Sequence, residues 1–420
     1  MIETIKIGVL GLGGRGQGLV KEAILPACED LGMEIAAVYD PYEDRTVAGA
    51  NIVEEKTGKR PFEAKTEDEL LAIPEIKAVI IPSAWEAHIP LAIKAMKAGK
   101  YAAMEVGGAY SLEECWDLVR TSEETGMPCM LLENCCYGQR ELMIMNMVRQ
   151  GVLGDIVHCS GGYQHDLRHE ISHGKEIRHY RLRNYMNRNC ENYPTHELGP
   201  IAKLLDINNG NRMVSLTATA SCAKGLHQFI VDERGEDHPL SKVEFAQGDV
   251  ITTVIKCAKG QTIVLSLDTT LPRAYSRGFT IRGTKGSYFE DTDMVFLDKV
   301  HNQYDWNPRE IWGNAKEYEE QYQHPLWKNY DPKGGHGGMD YLVISAFLEA
   351  VKEGKNPPID VYDAAAYMCI TALSEESIRK GGASVAIPDF TRGKWYMRKD
   401  IDHDLTFNLS RDDVFEGILY

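Results

Sequence analysis

IKIGVLGLGGRG, residues 5–16, is the stretch that decides the fold of this chain. Its first half is an apolar run without helical periodicity, which is typical of a buried parallel strand. Its second half is a G-x-G-x-x-G turn: Gly11 permits the tight turn, Gly13 lets the backbone approach a pyrophosphate, and Gly16 lets the next helix pack on the strand. The N-terminus of that helix, predicted over Gln17–Glu29, offers unpaired N–H groups to phosphates. The stretch therefore predicts a dinucleotide site.

An acidic residue follows the next predicted strand, Met33–Tyr39. Asp40 lies 24 residues beyond Gly16, about where a carboxylate should meet the adenosine ribose hydroxyls. Because a carboxylate there repels a 2′-phosphate, the sequence favours NAD(H) over NADP(H). A surface Asp that merely follows a strand is the alternative, but strand, turn, helix and strand in register favour the cofactor role.

Composition limits the partners of the chain. A length of 420 residues suffices for two domains with real cores, and the net charge of −16 argues against nucleic acid or an anionic membrane surface as a partner. No apolar run approaches the roughly 18 residues of a membrane span. The ten cysteines contain no C-x-x-C pair, and Met1–Thr4 lead directly into the first strand. We therefore expect reduced thiols and a cytoplasmic protein.

The first third of the chain alternates strands and helices. Further strands are predicted at Lys77–Pro82, Tyr101–Val106 and Cys129–Leu132, with helices between them. This order predicts an α/β domain, a doubly wound parallel sheet of the Rossmann type, over residues 1–133. Because the cofactor lies at the carboxyl ends of such strands, the residues that follow them become candidates for its site. They are Ser83-Ala84-Trp85-Glu86-Ala87-His88, Glu105-Val106 and Glu133-Asn134.

The character of the chain changes from about residue 134. A long polar connection, Tyr163–Asn192, precedes several β-rich runs with few helices between them, which predicts an α+β domain with a large, mostly antiparallel open sheet over residues 134–420. We expect the open face of that sheet to be available for self-association into a homo-oligomer. The predicted strands are Ile156–Gly161, Met213–Ser221, Val250–Cys257, Thr262–Asp268 and Phe279–Arg282, with a hairpin turn at Thr284–Ser287 and tail helices at Asp340–Lys352 and Ala364–Lys380.

The Gly-rich turn, Asp40, the segment IIPSAWEAHIPLAIKAMKAGKYAAME and a β-rich second domain together resemble the Gfo/Idh/MocA oxidoreductases. Dehydrogenases of that superfamily usually follow the Glu after the fifth strand with Lys-Pro, and the Lys serves catalysis. Here Glu105 is followed by Val106-Gly107-Gly108. An NAD-dependent sugar or inositol dehydrogenase is therefore the alternative rather than the first interpretation.

Four segments are similar to the NAD-dependent α-N-acetylgalactosaminidases of glycoside hydrolase family 109. The resemblance implies a glycosidase that uses bound NAD in a redox-neutral cycle of C3 oxidation, C1 elimination, water addition and re-reduction. The implied substrate is a small glycoside or glycan terminus, from which the enzyme releases terminal α-N-acetylgalactosamine. A galactoside or glucoside of either anomer is the alternative substrate. A non-catalytic NAD-dependent sensor is the alternative to an enzyme. The segments are LLENCCYGQRELMIMNMVRQGVLGDIVHC, GGYQHDLR, ENYPTHELGPIAKLLDINNGNRM and GGHGGMDY.

The same resemblance implies a set of site residues. The cofactor residues, with the glycines of the turn and Ser83 added, are Gly11, Gly13, Gly14, Arg15, Gly16, Asp40, Ser83, Trp85, His88, Glu105, Val106 and Asn134. The sugar-binding residues are Tyr163, Arg181, Tyr193, Pro194, Thr195, His196 and Tyr275. Arg178 and Arg183 are close alternatives to Arg181.

The stretch Tyr193-Pro194-Thr195-His196 is the predicted catalytic segment. Pro194 suits the first turn of a helix, which puts His196 near a helix N-terminus, where the dipole disfavours imidazolium. A neutral imidazole is what a general base needs at neutral pH. We expect His196 and Tyr193 to carry the proton transfers with Tyr163 in support; a structural histidine among packed tyrosines is the alternative.

HEISH, residues 169–173, matches the zinc motif H-E-x-x-H. Its flanks are polar, Gly174 follows directly, and no third ligand stands at the metzincin offset. We therefore predict no metal, and a solvated loop at the edge of the site.

GGHGG, residues 334–338, lacks the preceding strand and the Lys of a phosphate-binding loop. Either His336 lines the sugar pocket or the glycines only shape a turn.

Overall fold

The stretch at residues 5–16 forms an inner strand and the first turn of a six-stranded parallel sheet in the computed structural model, which describes residues 4–410. The strands are β1 (Ile5–Leu10), β2 (Met33–Tyr39), β3 (Phe62–Glu63), β4 (Ile76–Ile81), β5 (Tyr101–Met104) and β6 (Cys129–Leu131). Their order is β3-β2-β1-β4-β5-β6, with every pair parallel. The order reverses between β1 and β4, and it is at such a reversal that ligands bind.

Helices connect the strands, and the last four residues of β1 are all buried, as expected of a sheet covered on both faces. The helices are α1 (Gly14–Leu19), which continues through a π-helical turn (Val20–Ile24) into α2 (Leu25–Leu31), then α3 (Glu43–Thr57), α4 (Glu67–Leu71), α5 (Trp85–Lys97) and α6 (Leu112–Thr125). The predicted doubly wound sheet is confirmed.

Two element boundaries differ from the prediction in a way that matters for the site. Helix α5 begins at Trp85 rather than at Ile89, and β5 ends at Met104 rather than at Val106. Trp85 therefore lies in the first turn of a helix, and Glu105 lies just beyond the sheet, at the same carboxyl edge as the Gly-rich turn.

A second, eight-stranded sheet follows. Its strands are β7 (Ile156–Gly161), β8 (Met213–Ala220), β9 (Val250–Cys257), β10 (Thr262–Asp268), β11 (Thr280–Gly283), β12 (Gly286–Phe289), β13 (Met294–Leu297) and β14 (Val385–Ala386). Their order is β13-β12-β11-β7-β10-β9-β8-β14, and all pairs are antiparallel except β7 with β10. Strand β9 alternates buried and exposed residues, so one face packs on the core and the other is open. The predicted α+β architecture and the β11–β12 hairpin are confirmed.

The segment between β7 and β8 contains more regular structure than its polar composition predicts. The H-E-x-x-H motif lies on a short helix, so the predicted loop at residues 169–173 is wrong; Ile171 and Ser172 on that helix are buried. The helices around this segment are α7 (Gln139–Arg149), α8 (Arg168–Ser172), α9 (Arg181–Asn187), α10 (Thr195–Leu204) and α11 (Gly225–Arg234).

The last helices pack against both halves of the molecule. They are α12 (Glu319–Tyr322), α13 (Pro325–Lys328), α14 (Met339–Glu353) and α15 (Val361–Arg379). Helix α15 packs on α6 and β6 of the first sheet and on β8 of the second, while α14 packs on α2. The boundary between residues 133 and 134 therefore stays a prediction, and residues 1–3 and 411–420 of the predicted domains lie outside the described residues. Within residues 4–410 no helix is both long and apolar enough to cross a bilayer.

Candidate active site

The Gly-rich turn brings backbone segments closer than a side chain would allow. A Cβ on Gly11, whose φ is +115°, would lie 2.7 Å from Cα of Ser83, and one on Gly16 would lie 2.2 Å from the carbonyl oxygen of Gly11. Gly13 precedes the first residue of α1, and a Cβ on Gly14 would meet no atom within 4 Å. The backbone is therefore tightly packed at Gly11 and Gly16, while space remains beside Gly14. This arrangement suits a bound pyrophosphate.

Asp40 fixes the backbone of this turn through side-chain hydrogen bonds. Its Oδ2 accepts a hydrogen bond from the N–H of Leu12 at 2.7 Å, and its Oδ1 accepts one from Tyr42 at 2.9 Å. A carboxylate has about four acceptor positions, so two stay free for ribose hydroxyls. The role of Asp40 at the ribose stays a prediction, with a second role in shaping the turn.

Three polar atoms at the carboxyl end of β4 suit a bound polar ligand. Oγ of Ser83, Nε1 of Trp85 and Nδ1 of His88 are buried and have no hydrogen-bond partner among the described residues. Nε2 of His88 lies 2.9 Å from the carbonyl oxygen of Ser83, and burial lowers the pKa of His88 to about 4, so the ring is neutral. Buried polar groups are normally paired, so these atoms fit the expected dinucleotide.

A salt-bridge network closes the opposite side of the cleft. Nε and Nη2 of Arg15 donate to Oε1 of Glu105 at 3.0 and 2.8 Å, and Nη1 and Nη2 donate to the two oxygens of Asp340 at 2.6 and 2.9 Å. The amide of Asn134 also donates to Asp340, at 2.8 Å, and the N–H of Val106 donates to Glu105. Two predicted cofactor residues, Arg15 and Asn134, thus meet at Asp340, and Glu105 joins the network through Arg15. The sequence did not single out Asp340, although the GGHGGMDY segment contains it.

An aromatic cluster adjoins the cofactor cleft; it consists of Trp85, Tyr163, Tyr193, His196 and Tyr275. Ring centroids lie 4.5 Å apart for Tyr163 and Tyr193, 4.8 Å for Tyr193 and His196, and 5.6 Å for Trp85 and Tyr193. Tyr275 lies 6.4 Å from Tyr163 and is half-exposed, whereas the other four are buried. Tyr275 therefore forms the solvent-facing side of the cluster.

Arg181 is the cation of this cluster. Its guanidinium lies 5.2 Å from the ring centroid of Trp85, 5.3 Å from that of Tyr193 and 5.9 Å from that of Tyr163. Nη1 donates to Oε1 of Glu170 at 2.9 Å. The glutamate of the H-E-x-x-H motif is thus bound to an arginine of the predicted sugar site.

The two alternatives to Arg181 lie elsewhere. Arg178 pairs with Asp44 on α3 at 2.7 Å, and Arg183 pairs with Glu86 on α5. Both arginine side chains are exposed, whereas Arg181 is buried. The structure brings only Arg181 of these three into the aromatic cluster.

His196 is paired with a buried carboxylate. Helix α10 begins at Thr195, directly after Pro194, and all three residues are buried. Nδ1 of His196 lies 2.9 Å from Oε1 of Glu133, which also accepts the N–H of Cys135 at 3.1 Å. Burial alone would raise the pKa of Glu133, but the imidazole and the Cys135 N–H lower it below its usual value. Glu133 is therefore ionised and fixes the imidazole with Nε2 free.

The predicted effect of the helix dipole on His196 is therefore incomplete. The prediction considered only the helix N-terminus, whereas the fold also places the carboxylate of Glu133 2.9 Å from Nδ1 of His196. The sequence contains Glu133 in a candidate cofactor stretch, and only the fold brings it to the histidine, 63 residues away in the chain.

The tyrosines of the cluster are held in the protonated form. Burial raises the pKa of Tyr163, although Arg181 opposes the effect, and burial raises the pKa of Tyr193 well above its usual value. The hydroxyl of Tyr163 lies 3.0 Å from Nδ1 of His165. Both phenols are therefore hydrogen-bond donors at neutral pH.

A buried charged group lies beneath the cluster. Arg277 pairs with Glu141 at 2.5 Å, with Glu197 at 3.3 Å and with Glu290 at 3.4 Å. Burial raises the pKa of Glu197 well above its usual value, although the guanidinium of Arg277 opposes the effect. Arg277 is two residues from Tyr275, and Glu197 follows His196 on α10. Their contact therefore connects the segment that carries Tyr275 to the helix that carries His196.

Three potential metal ligands also lie here. Ligand atoms of Glu133, Cys135 and His196 lie within 4.8 Å of one another. Nδ1 of His196 and Oε1 of Glu133 are already in direct contact at 2.9 Å, which leaves no space for an ion between them. The geometry therefore favours the Glu133–His196 pair over a metal centre.

Two family descriptions match the chain. Residues 5–132 match the oxidoreductase family with an NAD-binding Rossmann fold, and residues 137–397 match the C-terminal domain of glycosyl hydrolase family 109. An α-N-acetylgalactosaminidase of Tannerella forsythia is 40% identical, over 94% of this chain and 88% of that protein. A glycosyl hydrolase family 109 protein of Parabacteroides distasonis is also 40% identical, with the same coverage.

Solved structures with the same fold are more distant in sequence. A levoglucosan dehydrogenase in complex with NADH matches 92% of this chain and all of its own with a TM-score of 0.68 and 17% identity. The myo-inositol 2-dehydrogenase from Lactobacillus plantarum matches with the same coverage, a TM-score of 0.65 and 13% identity. At these identities the likeness concerns the fold.

Proposed function

The chain belongs to glycosyl hydrolase family 109, and from that premise we propose that it is an NAD-dependent glycosidase that releases terminal α-N-acetylgalactosamine in a redox-neutral cycle. The observation that carries the proposal is the buried Glu133–His196 pair, which lies within the aromatic cluster and beside the cofactor cleft. An NAD-binding fold and a hydrolase domain in one chain support the same conclusion.

Position 106 supports hydrolysis over net dehydrogenation. Val106 is buried and apolar, and a Cβ on Gly107 would lie 2.5 Å from Cδ1 of Trp85. The segment after Glu105 therefore supplies no ammonium group to the cluster. Proton transfer falls to His196 and to the phenols of Tyr163 and Tyr193.

The residues of the cleft fit NAD, and those of the cluster fit proton transfer. When bound, NAD+ supplies reversible hydride transfer at C3 of the sugar, and the C2 proton is acidic while C3 is a carbonyl. Nδ1 of His196 is engaged by Glu133, so Nε2 is the nitrogen that takes and returns protons of the sugar. The hydroxyls of Tyr163 and Tyr193 donate hydrogen bonds to the sugar oxygens.

Arg181 and the tyrosines form the sugar-binding surface. Arg181 is held in one orientation by Glu170 and by the rings beneath it, so its remaining N–H groups are oriented before the substrate arrives. The half-exposed ring of Tyr275 gives the sugar an apolar surface at the mouth of the cluster.

The proposal is tested with nitrophenyl glycosides and without added NAD. We expect release of nitrophenol from the α-N-acetylgalactosaminide with no net accumulation of NADH, and we expect a C2-deuterated substrate to exchange its label with solvent. Galactosides and glucosides of both anomers, run in parallel, establish the sugar. Retention of the C2 label through full turnover would rule out the elimination, and steady NADH formation from free sugar would indicate a dehydrogenase.

Location and assembly are part of the proposal. All ten cysteines are unpaired, which supports a reducing compartment such as the cytoplasm. The exposed residues Thr252, Val254 and Lys256 of β9 leave the open face of the second sheet available for self-association. Cell fractionation and light scattering of the purified protein check these two points.

A further inference from the structure

The segment around α14 crosses from the C-terminal half of the chain to the Gly-rich turn. Its residues Gly334–Gly338 and Asp340 reach Arg15, which is 325 residues away from Asp340 in the chain. We propose that this segment, here called the clasp, holds the dinucleotide in its cleft from one turnover to the next. The inference rests on the proposed function, because a redox-neutral cycle works with a cofactor that never leaves.

The clasp fixes a cation at the cofactor turn. Arg15 follows the first residue of α1, and its three guanidinium nitrogens are engaged by two carboxylates, Glu105 and Asp340. A guanidinium with both edges paired has one orientation, whereas a free one samples many. The side chain of Asp340 is almost fully buried, while that of Arg15 is 37% exposed, so the carboxylate side of this anchor is shielded from solvent.

His336 has a conformation that favours glycine. Its φ is +51°, although it carries a side chain, and it stands between two pairs of glycines. Such a conformation is unfavourable for a non-glycine residue and marks His336 as a candidate for a functional role. Nδ1 lies 2.9 Å from Oδ2 of Asp340 and 3.3 Å from Nη1 of Arg15. Since the carboxylate only accepts, Nδ1 donates to it at the shorter distance, and Nε2 keeps a free acceptor position. The guanidinium of Arg15 only donates, so its 3.3 Å approach to Nδ1 is a contact without a hydrogen bond.

The glycines allow the clasp to lie directly on the Rossmann helix. A Cβ on Gly334 would come within 2.9 Å of the carbonyl oxygen of Glu22, and one on Gly335 within 2.5 Å of Oδ2 of Asp340. Helix α14 packs on α2 and on the π-helical turn that contains Glu22. The clasp is therefore a packed part of the cleft wall.

A second tether in the same region provides a matched control. Asp30 on α2 accepts hydrogen bonds from Lys333 at 2.6 Å and from the hydroxyl of Tyr341 at 2.5 Å, so it joins the same segment to the first domain. It contacts neither Arg15 nor Asn134. Asp30→Asn therefore weakens the attachment of the segment and leaves the Arg15 anchor intact.

The test measures NAD retention in the wild type, Asp340→Asn, His336→Ala and Asp30→Asn. NAD is released by acid and quantified per chain after gel filtration, and its dissociation rate is followed by exchange with labelled NAD. We expect the wild type and Asp30→Asn to retain NAD. We expect Asp340→Asn and His336→Ala to exchange it on the order of ten to a hundred times faster, as expected from the loss of a charge-assisted hydrogen bond. Thermal unfolding of each variant excludes misfolding.

The outcomes separate the two proposals. If the wild type holds NAD and Asp340→Asn exchanges it at the same rate, the clasp is wrong while the glycosidase proposal stands. If Asp30→Asn and Asp340→Asn exchange NAD equally fast, attachment of the segment to the first domain is enough to explain retention, and the clasp proposal is also wrong. If the wild type neither contains nor takes up NAD, the glycosidase proposal itself fails.

Discussion

Two buried glutamates near the catalytic segment differ in pKa because only one of them, Glu133, lies beside an imidazole. Glu133 is paired with His196, which lowers the pKa of Glu133 below its usual value against the effect of burial. Among residues 4–410 Glu191 has no charged partner, only the backbone N–H of Tyr193, and burial raises the pKa of Glu191 to about 8. The first carboxyl is thus an anion that orients a base, and the second is a neutral group two residues before Tyr193.

Replacing Glu133 tests the orientation of the base. Glu133→Gln keeps the size of the side chain but removes its charge, and the amide can donate to Nδ1, which would put the proton of His196 on Nε2. We expect kcat to fall about a hundredfold to a thousandfold, with KM and NAD content little changed. Steady-state kinetics with the nitrophenyl substrate and NAD quantification measure both.

Glu197→Gln is the matched control for that variant. Glu197 is as buried as Glu133 and follows His196, but it lies beside Arg277 and not beside the imidazole, and its raised pKa favours the protonated form that an amide resembles. We expect nearly wild-type kcat. Equal losses in the two variants would indicate general disruption of α10 rather than loss of an orienting charge.

Glu191 makes stability depend on pH. Its usual pKa of 4.5 is raised to about 8, so between these values the folded chain keeps a proton that the unfolded chain releases. Below pH 4.5 Glu191 is protonated in both the folded and the unfolded chain, so it does not lower the free energy of unfolding. As the pH rises from 4.5 to about 8, the free energy of unfolding falls by about 1 kcal/mol per pH unit. We expect Glu191→Gln to lose less stability than the wild type from pH 5 to 8, as measured by urea denaturation. A difference between the two proteins that does not change with pH would contradict the prediction.

At the scale of elements, two short helices make the polar connection into a wall of the site. Helices α8 and α9 are five and seven residues long, too short for a hydrophobic period to be visible in the sequence. Together they present Glu170 to Arg181 and direct that arginine over the aromatic cluster. Its neighbours Arg178 and Arg183 pair with carboxylates on α3 and α5 instead.

The three arginines give a matched set of variants. Arg181→Lys removes the planar group that stacks on the rings and pairs with Glu170, and we expect KM for the glycoside to rise about tenfold or more, with NAD content unchanged. Arg178→Lys and Arg183→Lys change exposed ion pairs, so we expect less than a twofold effect. Kinetics of the three variants on one substrate make the comparison; a larger effect at either neighbour would show that the sugar site is elsewhere on α9.

At the scale of the whole molecule, the two sheets share their covering helices. Of the 19 residues of α15, 14 are buried, and the helix lies between β6 of the first sheet and β8 of the second. A buried side chain such as Lys203 also reaches from α10 to Asp363 on α15, at 2.5 Å. Neither half of the chain therefore covers its own apolar surface alone.

We expect one cooperative unfolding transition for this reason. Far-UV circular dichroism and tryptophan fluorescence should report the same midpoint, and saturating NAD should raise it for both signals together. Two separated transitions, only one of them shifted by NAD, would show that residues 1–133 and 134–420 are independent units. That result would support the predicted boundary as a folding boundary.

The parts of the site that the sequence predicted share a physical cause. The Gly-rich turn, the strands that end at Asp40 and Glu105, and the helix that begins after Pro194 are each specified by residues close together in the chain. Helix starts, tight turns and buried strands leave patterns over five to fifteen residues, so their positions were predicted nearly to the residue. The exceptions include α8 and α9, the start of α1 and the ends of α5 and β5, which are set by packing against neighbours.

By itself the sequence determined the doubly wound sheet, the dinucleotide turn and the open second sheet, because local periodicity and glycine placement decide them. Only the tertiary structure decided which distant groups meet: Glu133 with His196, Arg181 with Glu170 and the aromatic rings, and Asp340 with Arg15. These contacts join different sheets and helices, and they form only where the two sheets and their shared helices pack together. Burial then determines which of these groups are charged, and burial is a property of the whole fold.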